Sequence, residues 1–128
     1  MNRVKLKVLA FGSQIMLHRL NALVDEDEVI LISCSEATEA AVKLINERFD
    51  IVIVDHFVKE AEQVCRAAIN ITRLPVAVLM QEKFADWQTL RRFEADGYIP
   101  DDKGSDELMA RLRAYSRRYL AVERLQCE

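Results

Sequence analysis

Five short apolar runs, rich in β-branched residues, alternate with segments whose apolar residues recur every three or four positions. The runs span residues 4–11, 29–32, 50–55, 76–80 and 97–99. Strands that alternate with helices form βαβ units, whose right-handed crossovers place a parallel sheet between two helix layers. The pattern therefore predicts an α/β protein with a doubly wound, five-stranded parallel sheet and helices on both of its faces.

Serine residues mark three of the predicted helix starts. Ser13, Ser35 and Ser105 each precede a helical segment, and a serine hydroxyl at that position accepts a hydrogen bond from a backbone amide of the first turn. We therefore expect these three serines to cap the first, second and last helices.

The apolar pattern also predicts which side chains are buried. The unbroken run at 29–32 is typical of a strand covered on both faces. Helical spacing places Ile45 on the inner face of the second helix and Ile71 on that of the third. In the fourth helix, we expect Trp87 and Leu90 to form the buried pair.

The overall composition excludes several classes of protein. A chain of 128 residues that is 51% hydrophobic suits one compact domain, and a net charge of −3 gives no basic excess for direct nucleic-acid binding. We expect no membrane segment, because no run approaches the roughly 20 apolar residues of a span and the N-terminus lacks a signal sequence. Cys34, Cys65 and Cys127 are too few and too scattered for a metal site, and reduced thiols indicate the cytoplasm.

In a sheet of this kind, binding sites lie beyond the carboxyl ends of the strands. Gly12 is the only glycine in the loop that directly follows the first strand, so this loop is not one of the glycine-rich loops that hold dinucleotides or nucleoside triphosphates. His56 follows Asp55 directly along the chain and no Ser-His-Asp set is evident, which argues against acyl transfer. We therefore predict no enzyme activity and no catalytic residue.

Asp55 is the one residue at these strand ends with clear chemical character. A carboxylate that closes an apolar strand emerges at the edge of the site, where it could accept a phosphoryl group or bind a metal ion. The alternative is structural, since an aspartate here could simply begin the next turn or cap the next helix. The spacing alone leaves both readings open.

Four segments resemble the receiver domains of bacterial two-component response regulators. They are residues 49–55, which resemble the phosphoacceptor strand, 74–79, 95–99 and 106–113. The resemblance runs in order from residue 4 to about residue 118. It implies a flavodoxin-like receiver fold, Asp55 at the phosphoacceptor position and Tyr98 at that of the switch aromatic.

The remaining functional positions of that family are exchanged here. The acidic pair that holds Mg²⁺ in the family is matched by Gly12 and Ser13, with Gln14 next. The serine or threonine that hydrogen-bonds the phosphoryl group is matched by Met80, whose thioether donates no hydrogen bond. The lysine that pairs with the phosphoryl group is matched by Asp101.

These exchanges predict a degenerate receiver, or pseudo-receiver, that signals by protein contacts without metal or other cofactor. The alternative is a working phosphoacceptor that takes phosphate from a histidine kinase on Asp55, with Lys103 swung into the pocket and Mg²⁺ held by Glu82 or Asp101. In that case the chain could be the regulatory half of a DNA-binding or other output protein. The predicted partners are therefore a histidine kinase or an output protein.

Two carboxylates at this edge raise a further possibility. If Asp55 and Asp101 lie close together, like-charge repulsion raises one carboxyl pKa, which would make the pocket sensitive to pH or to cations. Otherwise the two are solvated carboxylates at a loop rim.

The last helical pattern continues past the expected end of the domain. Leu112, Tyr115, Tyr119 and Val122 keep a coiled-coil spacing, so we divide the chain into a receiver-like domain at 1–118 and a helical extension at 119–128. The extension could form a homodimer or could be only a tail. The arginines on the last two helices are either a docking face for an acidic partner or a solvated face; they are Arg91, Arg92, Arg111, Arg113, Arg117 and Arg118.

Overall fold

The computed structural model describes residues 5–127, and their side chains as far as residue 116. Five strands alternate with five helices along the chain, and a single 3-10 turn at Glu82–Phe84 follows the fourth strand. The strands are β1 (Leu6–Phe11), β2 (Val29–Cys34), β3 (Ile51–Asp55), β4 (Val76–Met80) and β5 (Gly97–Pro100). The helices are α1 (Gln14–Leu23), α2 (Ala37–Asn46), α3 (Ala61–Thr72), α4 (Trp87–Phe93) and α5 (Ser105–Cys127).

The strands form one parallel sheet in the order β2-β1-β3-β4-β5. Consecutive parallel strands need crossover helices, which the chain supplies between each pair. The doubly wound α/β fold predicted from the sequence is therefore confirmed. Because the order reverses between β1 and β3, the carboxyl ends of these two strands flank the crevice where ligands bind in such folds.

Two buried clusters cover the two faces of the sheet. One contains Val52 and Val54 of β3 together with apolar side chains of α2 and α3. The other contains Ile51 and Ile53 of β3 together with side chains of α1 and α5. Because alternate residues of a strand point to opposite faces, β3 contributes side chains to both clusters. Each of its five residues is buried. The central strands are thus covered on both sides.

The second strand departs from the prediction. We expected 29–32 to be covered on both faces, but β2 lies at the edge of the sheet and Ile30 is 44% exposed. The prediction was wrong because a β-branched run reflects strand propensity, whereas burial depends on the position of the strand in the sheet.

Three helical predictions were also wrong in detail. Ile45 is exposed on α2 and Ile71 is exposed on α3. Trp87 is 73% exposed and Leu90 only half-buried, whereas Phe93 at the end of α4 is buried in the core. The 3-10 turn breaks the helical spacing before α4, so the face read from the sequence was rotated away from the one that packs.

The helix starts differ from one another. The Ser13 hydroxyl accepts a hydrogen bond from the Met16 amide at 3.2 Å, which confirms the predicted cap of α1. The prediction for Ser35 was wrong, since Glu36 occupies the cap position of α2 without a side-chain bond. The prediction for Ser105 was also wrong, since Ser105 is the first residue of α5 and its hydroxyl donates to the Leu23 carbonyl, which ties α5 to the end of α1.

Arg92, Arg111 and Arg113 form ion pairs with acidic residues of their own chain. Arg92 contacts Glu62 at 2.8 Å, and Arg113 contacts Glu28 at 3.0 Å. The side chains of residues 117–128, which include Tyr119 and Val122 of the predicted coiled-coil positions, Arg117, Arg118 and Cys127, lie outside the described residues, as does Val4. The division of the chain at residue 118 stays a prediction. Among the described residues, no helix combines the length and apolar character needed to cross a bilayer.

Phe93 and Trp87 provide a matched test of the packing of α4. We expect Phe93→Ala to lower the free energy of unfolding by about 3–5 kcal/mol, because it leaves a cavity in the core. Trp87→Ala should change it by no more than about 0.5 kcal/mol, because this ring is largely in solvent. Urea unfolding followed by circular dichroism measures both. Equal losses would contradict the observed orientation of α4.

Candidate functional site

Asp55 closes β3 at the carboxyl edge of the sheet and is buried, with only 3% of its surface exposed. Its Oδ1 accepts a hydrogen bond from the Phe57 amide at 3.1 Å, and its backbone carbonyl accepts one from the Val58 amide at 3.3 Å. The carboxylate therefore organises the turn that follows β3. Asp55 thus begins the next turn, as the structural alternative in the sequence analysis held. Its other oxygen, Oδ2, is directed toward the end of β1.

Gly12, directly after β1, packs against the Asp55 side chain. A Cβ atom added at Gly12 would lie 2.9 Å from the Asp55 Cβ and 3.4 Å from Oδ2. The first distance is shorter than two carbon atoms tolerate without movement. Any side chain at position 12, including the carboxylate that the family resemblance implies there, would have to displace Asp55 or the end of β1.

Ser13 and Gln14 add no ligand to this pocket. The Ser13 hydroxyl serves as the cap of α1, and Gln14 is the exposed first residue of that helix.

Met80 ends β4 and is fully buried in the cluster that packs under α2 and α3. The strand register pairs Asp55 with Leu79 rather than with Met80. The Met80 backbone carbonyl accepts a hydrogen bond from the Asp101 amide at 3.0 Å, which ties the end of β4 to the loop after β5. The contribution of Met80 to this edge is thus packing and backbone.

Asp101 lies directly after β5 and is only 8% exposed. Burial raises the pKa of its carboxyl group, and the neighbouring carboxylates of Asp102 and Asp55 raise it further, while Arg19 and His56 lower it. Among residues 5–116, whose side chains the structure describes, none forms a hydrogen bond with the Asp101 carboxylate, so its neighbours act on it electrostatically. Asp55 and Asp101 therefore influence each other electrostatically, and neither is a solvated residue at a loop rim.

Lys103 and Glu82 pair with each other at the outside of this edge. Their Nζ and Oε2 atoms lie 3.7 Å apart, and about half of each side chain is exposed. In this arrangement the Lys103 ammonium is directed to Glu82.

Tyr98 is half-buried on β5 and packs against the cluster under α2 and α3. The Arg111 guanidinium lies 5.0 Å from the centre of its ring and donates to its backbone carbonyl at 3.3 Å. The Tyr115 hydroxyl donates to the same carbonyl at 3.0 Å. The position of Tyr98 is thus fixed by two side chains of α5.

The residues around Asp55 do not fit a Mg²⁺ site of the kind that the fold family implies. Mg²⁺ takes oxygen ligands in a near-octahedral arrangement, usually with one or two carboxylates. Gly12 offers none, and the Ser13 hydroxyl is engaged in the helix cap. Within the described residues, no group of three or more His, Cys, Asp or Glu side chains could hold a metal ion.

The sequence reasoning missed an aromatic rim beside Asp55. Phe57 is 65% exposed and Phe84 is 45% exposed, both in loops at this edge. An aromatic residue two positions after a buried strand end was the available signal, because a chain that has just left the sheet faces solvent. Arg19, whose charge acts on Asp101 from α1, gave no such signal.

Comparison with solved structures identifies the fold. The signal receiver domain of an HD domain-containing protein from Pseudomonas fluorescens Pf-5 superposes with a TM-score of 0.79 at 16% identity, covering 97% of this chain and 98% of that one. The N-terminal domain of a response regulator/sensory box/GGDEF protein from Carboxydothermus hydrogenoformans gives 0.76 at 20% identity, covering 90% and 97%.

The Vibrio cholerae chemotaxis protein CheY4 gives a TM-score of 0.75 at 19% identity, covering 88% of this chain and 99% of that one. Searches of protein-family models and of curated protein sequences returned no match. The chain therefore has the flavodoxin-like fold of response regulator receiver domains over nearly the whole length of these neighbours.

Asp101 is expected to make stability depend on pH. Because the folded-state pKa is raised, the buried carboxylate opposes folding above that pKa, and the opposition disappears as the group protonates. Asp101→Asn should therefore raise the free energy of unfolding at pH 7. The gain should shrink as the pH falls and vanish below about 3.9, where an unfolded aspartate is also protonated.

Thermal unfolding across this pH range measures the effect. Asp27→Asn, the same change at an exposed position, is the control and should show no such trend. A stabilising Asp101 carboxylate, revealed by a lower unfolding temperature of Asp101→Asn at pH 7, would contradict the assignment.

Gly12 and Ser13 allow a test of the crowding against Asp55. Gly12→Asp should lower the free energy of unfolding by about 1–3 kcal/mol, because the new Cβ overpacks against Asp55. Ser13→Asp should stay within about 0.5 kcal/mol, since aspartate caps a helix as well as serine does. Urea titrations of the two variants decide the matter, and a tolerated Gly12→Asp would show that the strand end yields easily.

Proposed function

We propose that this protein is a receiver-like signalling module that acts by binding other proteins and is not switched by Mg²⁺-dependent phosphorylation of Asp55. The observation that carries the proposal is the buried Asp101 carboxylate near Asp55, at the position where the resemblance implies a lysine. The receiver fold supports a signalling role, and the exchanged pocket supports the absence of the usual switch.

The electrostatics of the pocket oppose a phosphoryl group on Asp55. Two unit charges about 4 Å apart interact by about 4 kcal/mol at an effective dielectric constant near 20. A phosphoryl group adds close to two negative charges, and Asp101 replaces an attraction of this order with a repulsion. Phosphoryl transfer elsewhere depends on cations that neutralise the developing charge. Arg19 acts on Asp101 from α1, but Gly12 and Ser13 offer no acidic pair that would hold a metal ion beside Asp55.

The partner in this proposal is a protein. Two of the structural neighbours are receiver domains within larger proteins, one described as HD domain-containing and one as a response regulator/sensory box/GGDEF 3-domain protein. By analogy, we propose that this module docks on a histidine kinase or on an output protein or domain. We further propose a cytoplasmic location, as expected for such a pathway.

A second candidate function is a working phosphoacceptor. It is favoured by the position of Asp55 at the end of β3 and by the Lys103 side chain, which is 49% exposed and whose ion pair with Glu82 is long at 3.7 Å. A rotation of Lys103 would place a cation at the pocket, where Asp101 or Glu82 could then hold Mg²⁺.

Intact-mass spectrometry after incubation with acetyl phosphate and Mg²⁺ separates the two candidates. We expect no phosphoryl adduct on the wild-type protein, because Asp101 repels the group and no pair of carboxylates holds the metal. Asp101→Lys should raise the yield of adduct, since it replaces the repulsion with an ion pair.

Asp55→Asn is the control in both backgrounds. A stoichiometric adduct on the wild-type chain that Asp55→Asn abolishes would overturn the proposal in favour of the phosphoacceptor.

A further inference from the structure

A shallow groove lies beside Asp55, between the loop after β3 and the segment that leads into α4. We call it the rim groove and define it by His56, Phe57, Lys83, Phe84, Asp86 and Arg92. It is separate from the crevice between β1 and β3, because its walls come from the β3–α3 connection, the 3-10 turn and α4.

The rim groove presents aromatic surface to solvent. Phe57 and Phe84 are 65% and 45% exposed. The Phe57 ring is supported from the inside by the His56 ring, whose centre lies 3.9 Å away, and His56 is positioned by the contact of its Nδ1 with the Leu79 carbonyl at 3.4 Å. Aromatic rings held in place at the surface lose little further conformational entropy on binding, which suits them as anchors for a partner.

The charges of the rim groove are unequal. The Arg92 guanidinium is neutralised by Glu62 at 2.8 Å, and the Asp86 carboxylate accepts from the Thr89 amide at 2.7 Å as the cap of α4. The Lys83 ammonium lies 5.0 Å from the centre of the Phe84 ring, and among the described side chains no carboxylate is recorded within ion-pair distance of it. The Lys83 ammonium beside two exposed aromatic rings therefore favours a partner segment that carries both a carboxylate and an apolar side chain.

We propose that the rim groove binds an acidic segment of a partner protein that carries an aromatic or aliphatic side chain. The apolar side chain would pack between Phe57 and Phe84, and a carboxylate would pair with Lys83, a local cation on a chain whose net charge of −3 otherwise repels acidic segments. This inference rests on the proposed function, since it names the surface through which the module acts on another protein.

The rim groove is also connected to Asp55. The Phe57 amide, one residue from the His56 ring, donates to the Asp55 carboxylate at 3.1 Å. A partner that moves the Phe57 backbone would therefore change the environment of Asp55 without any phosphoryl group. The turn after β3 is the physical link between the two.

Titration of the ¹⁵N-labelled protein with a short, glutamate-rich peptide that carries central Phe and Leu residues tests the proposal. We expect amide shifts centred on residues 56–57 and 83–92, including the Phe57 amide. Lys83→Glu should weaken binding about tenfold or more, in line with loss of an ion pair and the gain of a repulsion. Phe57→Ala should weaken it by a similar factor.

Two matched variants and two matched peptides serve as controls. Lys5→Glu makes the same charge change at an exposed position at the opposite edge of the sheet, and Ile45→Ala truncates an exposed apolar residue on α2; neither should alter the affinity. A peptide with Lys in place of Glu and one with Ala in place of Phe and Leu should each bind far more weakly. Comparable binding of either peptide, shifts centred elsewhere or an absence of shifts would overturn the proposal.

Self-association is a separate outcome to be measured. If sedimentation equilibrium shows a dimer that Phe57→Ala or Lys83→Glu dissociates, the occupant is a second copy of the chain and the acidic partner is excluded. The titration is run without Mg²⁺ or phosphodonor, so its failure would leave the phosphorylation result standing. A phosphoryl adduct on Asp55 would likewise leave a measured peptide affinity intact.

Discussion

Complete burial of the central strands is the constraint on which the rest of the structure depends. β1, β3 and β4 can be covered on both faces only if the chain crosses from one side of the sheet to the other between strands. That crossing creates the reversal of strand order between β1 and β3, and the reversal opens the crevice at their carboxyl ends. Asp55 consequently lies at a strand end from which the packing of the fold alone excludes most of the water.

The sequence predicted the strands and helices themselves, but it did not predict which of them would lie beside one another. The bounds of β4 could be predicted because a fully apolar run leaves one arrangement open, whereas the helical spacing of α3 placed Ile71 inside although it is exposed. The edge position of β2 could not, because strand order depends on contacts between segments far apart in the chain. Trp87 was placed inside for a related reason, since a 3-10 turn of three residues was enough to shift the helical phase.

The features of the candidate site likewise divide into those that the sequence predicted and those that depend on packing between distant segments. Sequence placed Asp55 at a strand end and an acid at position 101, because both follow from counting along strands. Burial of Asp101 depends on the packing of the loop after β5 against α1, and the contact of Gly12 with Asp55 depends on the separation of two strands. Neither the burial of Asp101 nor the distance between Gly12 and Asp55 can be deduced from residues that are adjacent in the sequence. The exposure of the Phe57 ring could be predicted, because it follows a strand end, but its contact with the His56 ring could not.

The contact between Gly12 and Asp55 has a consequence for any redesign of this pocket. A position filled to within 2.9 Å of a neighbouring side chain accepts a carboxylate only after the backbone around it has moved. A lysine at position 101 alone would add no metal ligand, and a carboxylate at position 12 alone would first lower the stability of the fold. A metal ion at this strand end would therefore require a new carboxylate and a shifted backbone together, so a redesign that changes one residue at a time would not reach it.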